Sequence, residues 1–232
     1  CQHAFCRPLD ASIYCSMDSV RAPAIFNRLA FPRLTRQAHS EHFEIDFMAD
    51  TSKSKAKRCL DLTVCLVGAV PAGLLCLVLV CVIRIESRGP AIFRQRRYGQ
   101  DGAPFTVLKL RTMRIETEDR PSHENDGSEI TRVGQVLRAL KFDEVPQLWN
   151  VLRGEMSLVG PRPSLTTQGE VIARRAELGV HVLRPGITGP SQVAGIAMSE
   201  PVLLAAADAE YLGPWRLQDD LKLLIQTVLG SG

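Results

Sequence analysis

Leu62–Ile83 reads LTVCLVGAVPAGLLCLVLVCVI and carries no charge over 22 residues. A helix of that length reaches across the hydrocarbon core of a bilayer. A core helix of a small domain keeps a polar face, and this stretch has none, so it reads as a membrane segment. Pro71 stands near its middle. Proline removes an N–H and clashes with the preceding turn, so the helix is expected to bend there. Both flanks are basic, with Lys53, Lys55, Lys57 and Arg58 before it and Arg84, Arg88, Arg94, Arg96 and Arg97 after it. Basic flanks favour the cytoplasmic side. A straight span sends one cluster to the wrong face, whereas a helix that enters, breaks at Pro71 and returns keeps both inside. The expected fold is a re-entrant membrane helix hairpin over residues 51–88, followed over 89–232 by a small cytoplasmic α/β domain, mixed and helix-rich.

The rest of the composition narrows the classes. At 232 residues, the chain is long enough for one cored domain and something more. A net charge of +3 implies no nucleic acid, and none is expected. The seven cysteines are an odd number, all lie before residue 82, and no C-x-x-C occurs. That pattern argues against a zinc site and a secreted disulfide scaffold, and for a reducing compartment. Residues 1–50 show no sustained period and no signal-peptide pattern, and read as a poorly ordered extension. Arg28, Arg33 and Arg36, interleaved with Phe26, Leu29, Phe31 and Leu34, leave contact with an anionic membrane surface as the alternative. Met48 stands just before the first patterned segment, so the functional unit is expected to start near it and not to need the leader.

After the turn signal Gly89-Pro90, Ala91-Ile92-Phe93 begins an extended run, and Phe105–Thr112, FTVLKLRT, alternates. Period two puts Lys109 and Arg111 on one strand face, where they either hold a diphosphate or line a solvated edge. Glu116–Glu129 is polar, with Pro121 and Gly127, and reads as a flexible loop. No D-x-D, no G-x-x-x-x-G-K-[ST], no G-x-G-x-x-G and no G-x-S-x-G is present.

Leu140–Pro163, LKFDEVPQLWNVLRGEMSLVGPRP, concentrates the chemistry. Asp143 stands where the N-cap of a short apolar helix belongs, with Glu144 beside it and Pro146 in the first turn. Two readings stand side by side. Asp143 caps the helix, or it attacks phosphorus as a nucleophile while Glu144 holds Mg²⁺ to offset the substrate's charge. Arg138 precedes the acids, and Arg162 is held between prolines. Arg184-Pro185-Gly186 is a second stiff basic turn. Phosphate binding needs fixed cations, which makes Lys109, Arg162 and Arg184 candidates for it. Near the C-terminus, Leu217, Leu221, Leu224, Ile225 and Val228 form a helical stripe with Trp215 beside it. This stripe faces either a membrane interface or the core.

From Lys57 to about Thr227 the chain resembles the bacterial sugar transferase family, the polyprenyl-phosphate hexose-1-phosphate transferases or monotopic phosphoglycosyl transferases. The matching stretches are Lys57-Arg58-x-x-Asp61, Gly89-Pro90 through Gln95-x-Arg97-x-Gly99, Lys109-x-Arg111-Thr112-Met113 and Ile130-Thr131-Arg132-x-Gly134. They continue with Asp143-Glu144-x-Pro146-Gln147-x-x-Asn150-Val151, Gly154-x-Met156 through Gly160-Pro161-Arg162-Pro163, and Arg184-Pro185-Gly186-Ile187-Thr188-Gly189.

The resemblance implies an enzyme that moves a sugar phosphate from a nucleotide sugar, usually a UDP-sugar, to polyprenyl (undecaprenyl) phosphate, releasing UMP. It implies Asp143 as the nucleophile forming a phosphosugar intermediate, Glu144 as the Mg²⁺ ligand, and Lys109 and Arg138 as site cations, with Arg111 beside them. Pro71 then marks the membrane-helix break, amphipathic helices lie at the interface among membrane lipids, and the catalytic domain sits on the cytoplasmic face of the bacterial inner membrane. Self-association is allowed and not specified. Three departures stand out. Lys141-Phe142 replaces the usual serine-leucine, Val70-Pro71 replaces Ser-Pro, and Pro190–Met198 lacks the usual Gly-Arg pair. The alternatives are a non-catalytic membrane-anchored scaffold of an exopolysaccharide export complex, and a transferase that moves the sugar alone and releases UDP.

Overall fold

The computed structural model describes residues 54–114 and 129–230. The expectations for the leader and for most of the polar loop lie outside the described residues. Helix α1, Lys55–Glu86, spans 32 residues and contains Pro71. Strands β1 (Ile92–Tyr98) and β2 (Pro104–Leu110) form an antiparallel hairpin. Then come α2 (Arg132–Ala139), a 3₁₀ turn at Phe142–Glu144, α3 (Gln147–Arg153), β3 (Ser157–Val159) and β4 (Ser164–Leu165). The chain ends with α4 (Gly169–Glu177), β5 (Gly186–Thr188), α5 (Pro190–Val193), α6 (Pro201–Ala209) and α7 (Leu217–Val228). The first sheet has the order β2-β1-β4, and β3 pairs in parallel with β5. A mixed, helix-rich α/β domain beside one long apolar helix matches the expected class.

Helix α1 is long and apolar enough to cross a membrane. Leu66, Val67, Val70, Leu74, Leu77 and Val78 are all exposed, so it is no core helix. Its ends are fastened to the domain. At the start, Lys57 Nζ lies 2.8 Å from Asp220 Oδ2, and Asp220 also accepts from the Tyr211 hydroxyl and the Trp215 indole N–H. Trp215 therefore serves this network through its indole N–H. Arg58 donates to the carbonyls of Val151 and Leu152 at 2.6 and 3.0 Å, satisfying the last turn of α3. Asp61, fully buried, accepts from the Leu158 N–H. At the other end Glu86 accepts from the Val133 N–H at the start of α2.

Two cores follow from this arrangement. Cys65 joins Val107, Val151, Met156, Val159 and Leu223, whereas Ile83 joins Ala91, Leu110 and Leu137. Strand β2 supplies Val107 to one and Leu110 to the other. On α7, Leu223 is buried and Leu224 packs on the first core, while Leu217, Leu221, Ile225 and Val228 of the C-terminal stripe are exposed.

Candidate active site

The β1–β2 hairpin makes one wall. Directly opposed residues of an antiparallel pair point to the same side. The register Gln95↔Val107 and Arg97↔Phe105 therefore places Gln95, Arg97, Val107 and Lys109 on one face. Asn150 locks this wall to α3, accepting from the Leu108 N–H at 3.1 Å and donating to the Thr106 carbonyl at 2.7 Å. The opposite wall is the Pro161-Arg162-Pro163 loop. Glycines let it approach β5, since a Cβ on Gly186 would meet Gly160 N at 2.1 Å and one on Gly189 would meet Gly160 O at 2.0 Å. Arg97 donates to the Pro163 carbonyl at 2.8 Å, and Arg175 donates to the Arg162 carbonyl at 2.7 Å. Two buried guanidiniums thus fix the backbone at Arg162 and at the residue after it.

Between the walls lies a cleft of about 250 Å³, lined by Arg97, Lys109, Glu144, Gln147, Arg162 and Gln192 among others. Glu144 lines it from the 3₁₀ turn, with Asp143 next to it in the chain. Lys141 precedes that turn in the left-handed region (φ 57, ψ 21), which redirects the chain after α2. Phe142 packs on the second core, so it keeps the apolar role of the leucine it replaces. Helix α3 begins only at Gln147, with Pro146 in front of it and no side-chain cap. The N-cap expected at Asp143 is therefore corrected, and the carboxylate caps no helix.

Lys109 Nζ lies 2.9 Å from Glu144 Oε1, with both side chains about one-fifth exposed. Burial pushes the Glu144 carboxyl up, but the charges of Lys109 and Arg162 and the bonds from Lys109 and Gln147 hold it below its ordinary value. Asp143 is lifted above its ordinary value, chiefly by burial and further by Glu144, against the pull of Lys109 and Arg138. Among the described residues Asp143 has no ion-pair partner. For a metal, the donor set fits Mg²⁺ and not a preformed cage. Glu144 is held ionised with only one oxygen on Lys109, and no three His, Cys, Asp or Glu side chains gather among the described residues. Phosphate oxygens and water ordinarily complete such a site.

Of the expected cations, Lys109, Arg138 and Arg162 surround the acids. Arg138 donates to the Thr112 hydroxyl at 2.9 Å on the flank. Arg111 departs from expectation because β2 ends at Leu110 and period two stops with it. Its guanidinium donates to the carbonyls of Ser87 and Arg88 and tethers the end of α1. Arg184 lies by the start of α1, within the fields of Arg58 and Asp61, and burial holds its pKa down. It is absent from the cleft lining. Arg97, Gln147, Gln192 and the Arg175–Asp208 pair were not singled out from the sequence as site residues. The alternation of β1 marks Arg97, whereas nothing local announces Arg175 and Asp208.

Comparison with known proteins shows the family. A family model described as bacterial sugar transferase matches residues 52–231. The chain is 45% identical over 182 residues to the UDP-glucose:undecaprenyl-phosphate glucose-1-phosphate transferase of Caulobacter vibrioides, covering 74% of this chain and 68% of that protein. It is 38% identical over 164 residues to the Escherichia coli protein of the same name, covering 65% of this chain and 35% of that one. It is 32% identical over 191 residues to the exopolysaccharide production protein ExoY of Sinorhizobium fredii, covering 75% and 84%. The chain is a phosphoglycosyl transferase and belongs to the bacterial sugar transferase family.

Proposed function

We propose that the chain moves a sugar 1-phosphate from a nucleotide diphosphate sugar to undecaprenyl phosphate in two substitutions at one phosphorus. The Asp143 carboxylate attacks the sugar-bearing phosphorus, the P–O bond to the nucleotide breaks, and UMP leaves with the electron pair. An oxygen of the polyprenyl phosphate then attacks the same phosphorus, the bond to Asp143 breaks, and a polyprenyl diphosphate sugar forms. The observation that carries this reading is that Asp143 caps no helix and has no ion-pair partner among the described residues, beside a cleft whose cations include Lys109 and Arg162. Those cations suit the phosphate oxygens. Glu144 would hold Mg²⁺, which would supply further neutralisation of the diphosphate.

The same reading puts α1 in the bacterial inner membrane as a re-entrant helix, with the domain on the cytoplasmic face. On a straight helix Cys65 and Ile83 would stand ~27 Å apart, yet β2 reaches both of their cores through residues only ~10 Å apart. A path that doubles back at Pro71 brings both ends to one domain. The exposed apolar side chains of α7 and Trp149 then lie at the membrane interface.

The test supplies membranes with labelled UDP-glucose, Mg²⁺ and polyprenyl phosphate. We expect UMP and a lipid-linked sugar diphosphate from the wild type, and neither from Asp143→Asn. Release of UDP would instead indicate transfer of the sugar alone, and no nucleotide release would indicate a scaffold.

A further inference from the structure

We propose that a second hollow, behind the Arg162 loop, receives the nucleoside half of the donor. This rests on the reaction proposed above. The cleft beside Glu144 is narrow and is lined by the cations Arg97, Lys109 and Arg162. Its cations match a diphosphate and leave the nucleoside without a place. Across the Arg162–Pro163 backbone lies a hollow of about 420 Å³. Arg162 and Pro163 line both spaces, so one ligand can continue from cleft to hollow around a single fixed residue.

The chemistry of the hollow selects its occupant. Pro161, Ile172, Leu183 and Pro185 give it apolar walls. Arg175 is already committed to Asp208, the Arg162 carbonyl and the Ser164 hydroxyl, so it offers little to a phosphate. The Pro161 and Pro163 carbonyls are taken by the Gly186 N–H and by Arg97. Tyr98 and the exposed His181 remain, and among the described residues neither side chain has a hydrogen-bond partner. A hexose would bring several hydroxyls to two free polar groups and strand the others. A nucleobase brings two apolar faces and a polar edge, which suits a phenol ring, proline walls and one imidazole at the rim. The nucleoside is therefore held by Tyr98 and His181, and the phosphates by the Arg162 side of the loop.

The test is calorimetric titration of the full chain in lipid nanodiscs with UDP and, separately, inorganic pyrophosphate. Ile172→Trp fills the hollow from a half-buried position on α4. The double variant Tyr98→Leu/His181→Ala removes both handles and carries the same test if the filled variant does not fold. We expect UDP affinity to fall about tenfold or more, the scale of losing one base–aromatic stack, while pyrophosphate affinity is unchanged. UDP binding at wild-type affinity in either folded variant overturns the subsite and leaves the proposed reaction, judged by Asp143→Asn, intact. A parallel loss of pyrophosphate binding also overturns it, because the substitution would then act through the phosphate cleft. A wild type that binds neither ligand overturns both readings.

Discussion

Lys109 Nζ stands 2.9 Å from Glu144 Oε1, and beside this ion pair two neighbouring carboxyls differ in acidity, because Lys109 holds Glu144 down while burial lifts Asp143. Glu144 is held below its ordinary value while Asp143 is lifted above its own. One acid is thus kept charged at low pH, and the other is a stronger base than a solvated aspartate. Separated acidities of adjacent groups are how one site assigns two jobs. Here they suit a charge-holding role for Glu144 and a nucleophilic one for Asp143.

An attacking Asp143 must be ionised, so kcat/KM is expected to rise with pH through a value above the ordinary aspartate 3.8. Lys109 favours the charged form of both acids. Lys109→Met removes that attraction, so both carboxyls protonate at higher pH and the acid limb moves upward. The plateau is expected to fall on the order of 10²-fold or more, as for loss of one charge-stabilising donor. A pH–rate profile decides it, because a lysine that only packs would leave the limb where it is.

Arg175 and Asp208 are 8% and 0% exposed in their side chains and pair at 2.6 Å. Removing one partner of such a pair leaves a buried charge alone and costs about 3–5 kcal/mol. Arg175→Met is expected to lower the melting temperature by that order of stability. It also frees the Arg162 carbonyl, so the surviving folded enzyme should show a raised KM for the nucleotide sugar. Asp208→Asn keeps Arg175 in place and should spare KM more than stability. Equal effects on KM would show that Arg175 does not position the loop.

The membrane segment and the acid pair are legible in the chain because each is a local signal, an apolar run of sufficient length and two adjacent carboxylates. The roles of Arg111 and Arg184 were not. Strand alternation predicts a shared face only while the strand lasts, and β2 ends one residue before Arg111. The clamp on Arg162 joins residues 66 apart through Arg97 and 13 apart through Arg175, and Arg175 meets Asp208 across 33. Such pairings follow from how β1, α4 and α6 pack, and no period along the chain encodes them. The expected cap at Asp143 failed for a related reason. Lys141 turns left-handed and the acids form a 3₁₀ turn before the helix begins.

That left-handed residue makes its own prediction. A side chain at φ 57 carries a cost of about 1–2 kcal/mol that glycine avoids. Glycine loses about 0.5–1 kcal/mol of this through the freedom it gains when unfolded. Lys141→Gly is thus expected to stabilise the domain by up to about 1.5 kcal/mol. Lys141→Val, β-branched and ill suited to this region, should destabilise it. Denaturant melts of the two variants should move in opposite directions. Movement in the same direction would mean that the turn is held by something other than this backbone conformation.

The proposed re-entrant path of α1 is open to a direct test because its two ends carry exposed side chains. Lys55 and Arg88 bracket the helix, and both are exposed. If the helix enters and returns, a cysteine at either place reacts with a membrane-impermeant maleimide only from the cytoplasmic side. The native cysteines must first be replaced, since Cys59 and Cys81 are exposed on the same helix. Labelling of one position from outside and the other from inside would establish a straight span. Pro71→Ala sharpens the comparison, because it restores an N–H and removes the ring clash that favours the bend. A straightened helix should then carry one end across, at the expense of the contacts that Lys57 and Arg58 make at one end or Ile83 at the other. Domain stability and topology are therefore expected to change together in that variant, which a proline serving only as a mild kink would not produce.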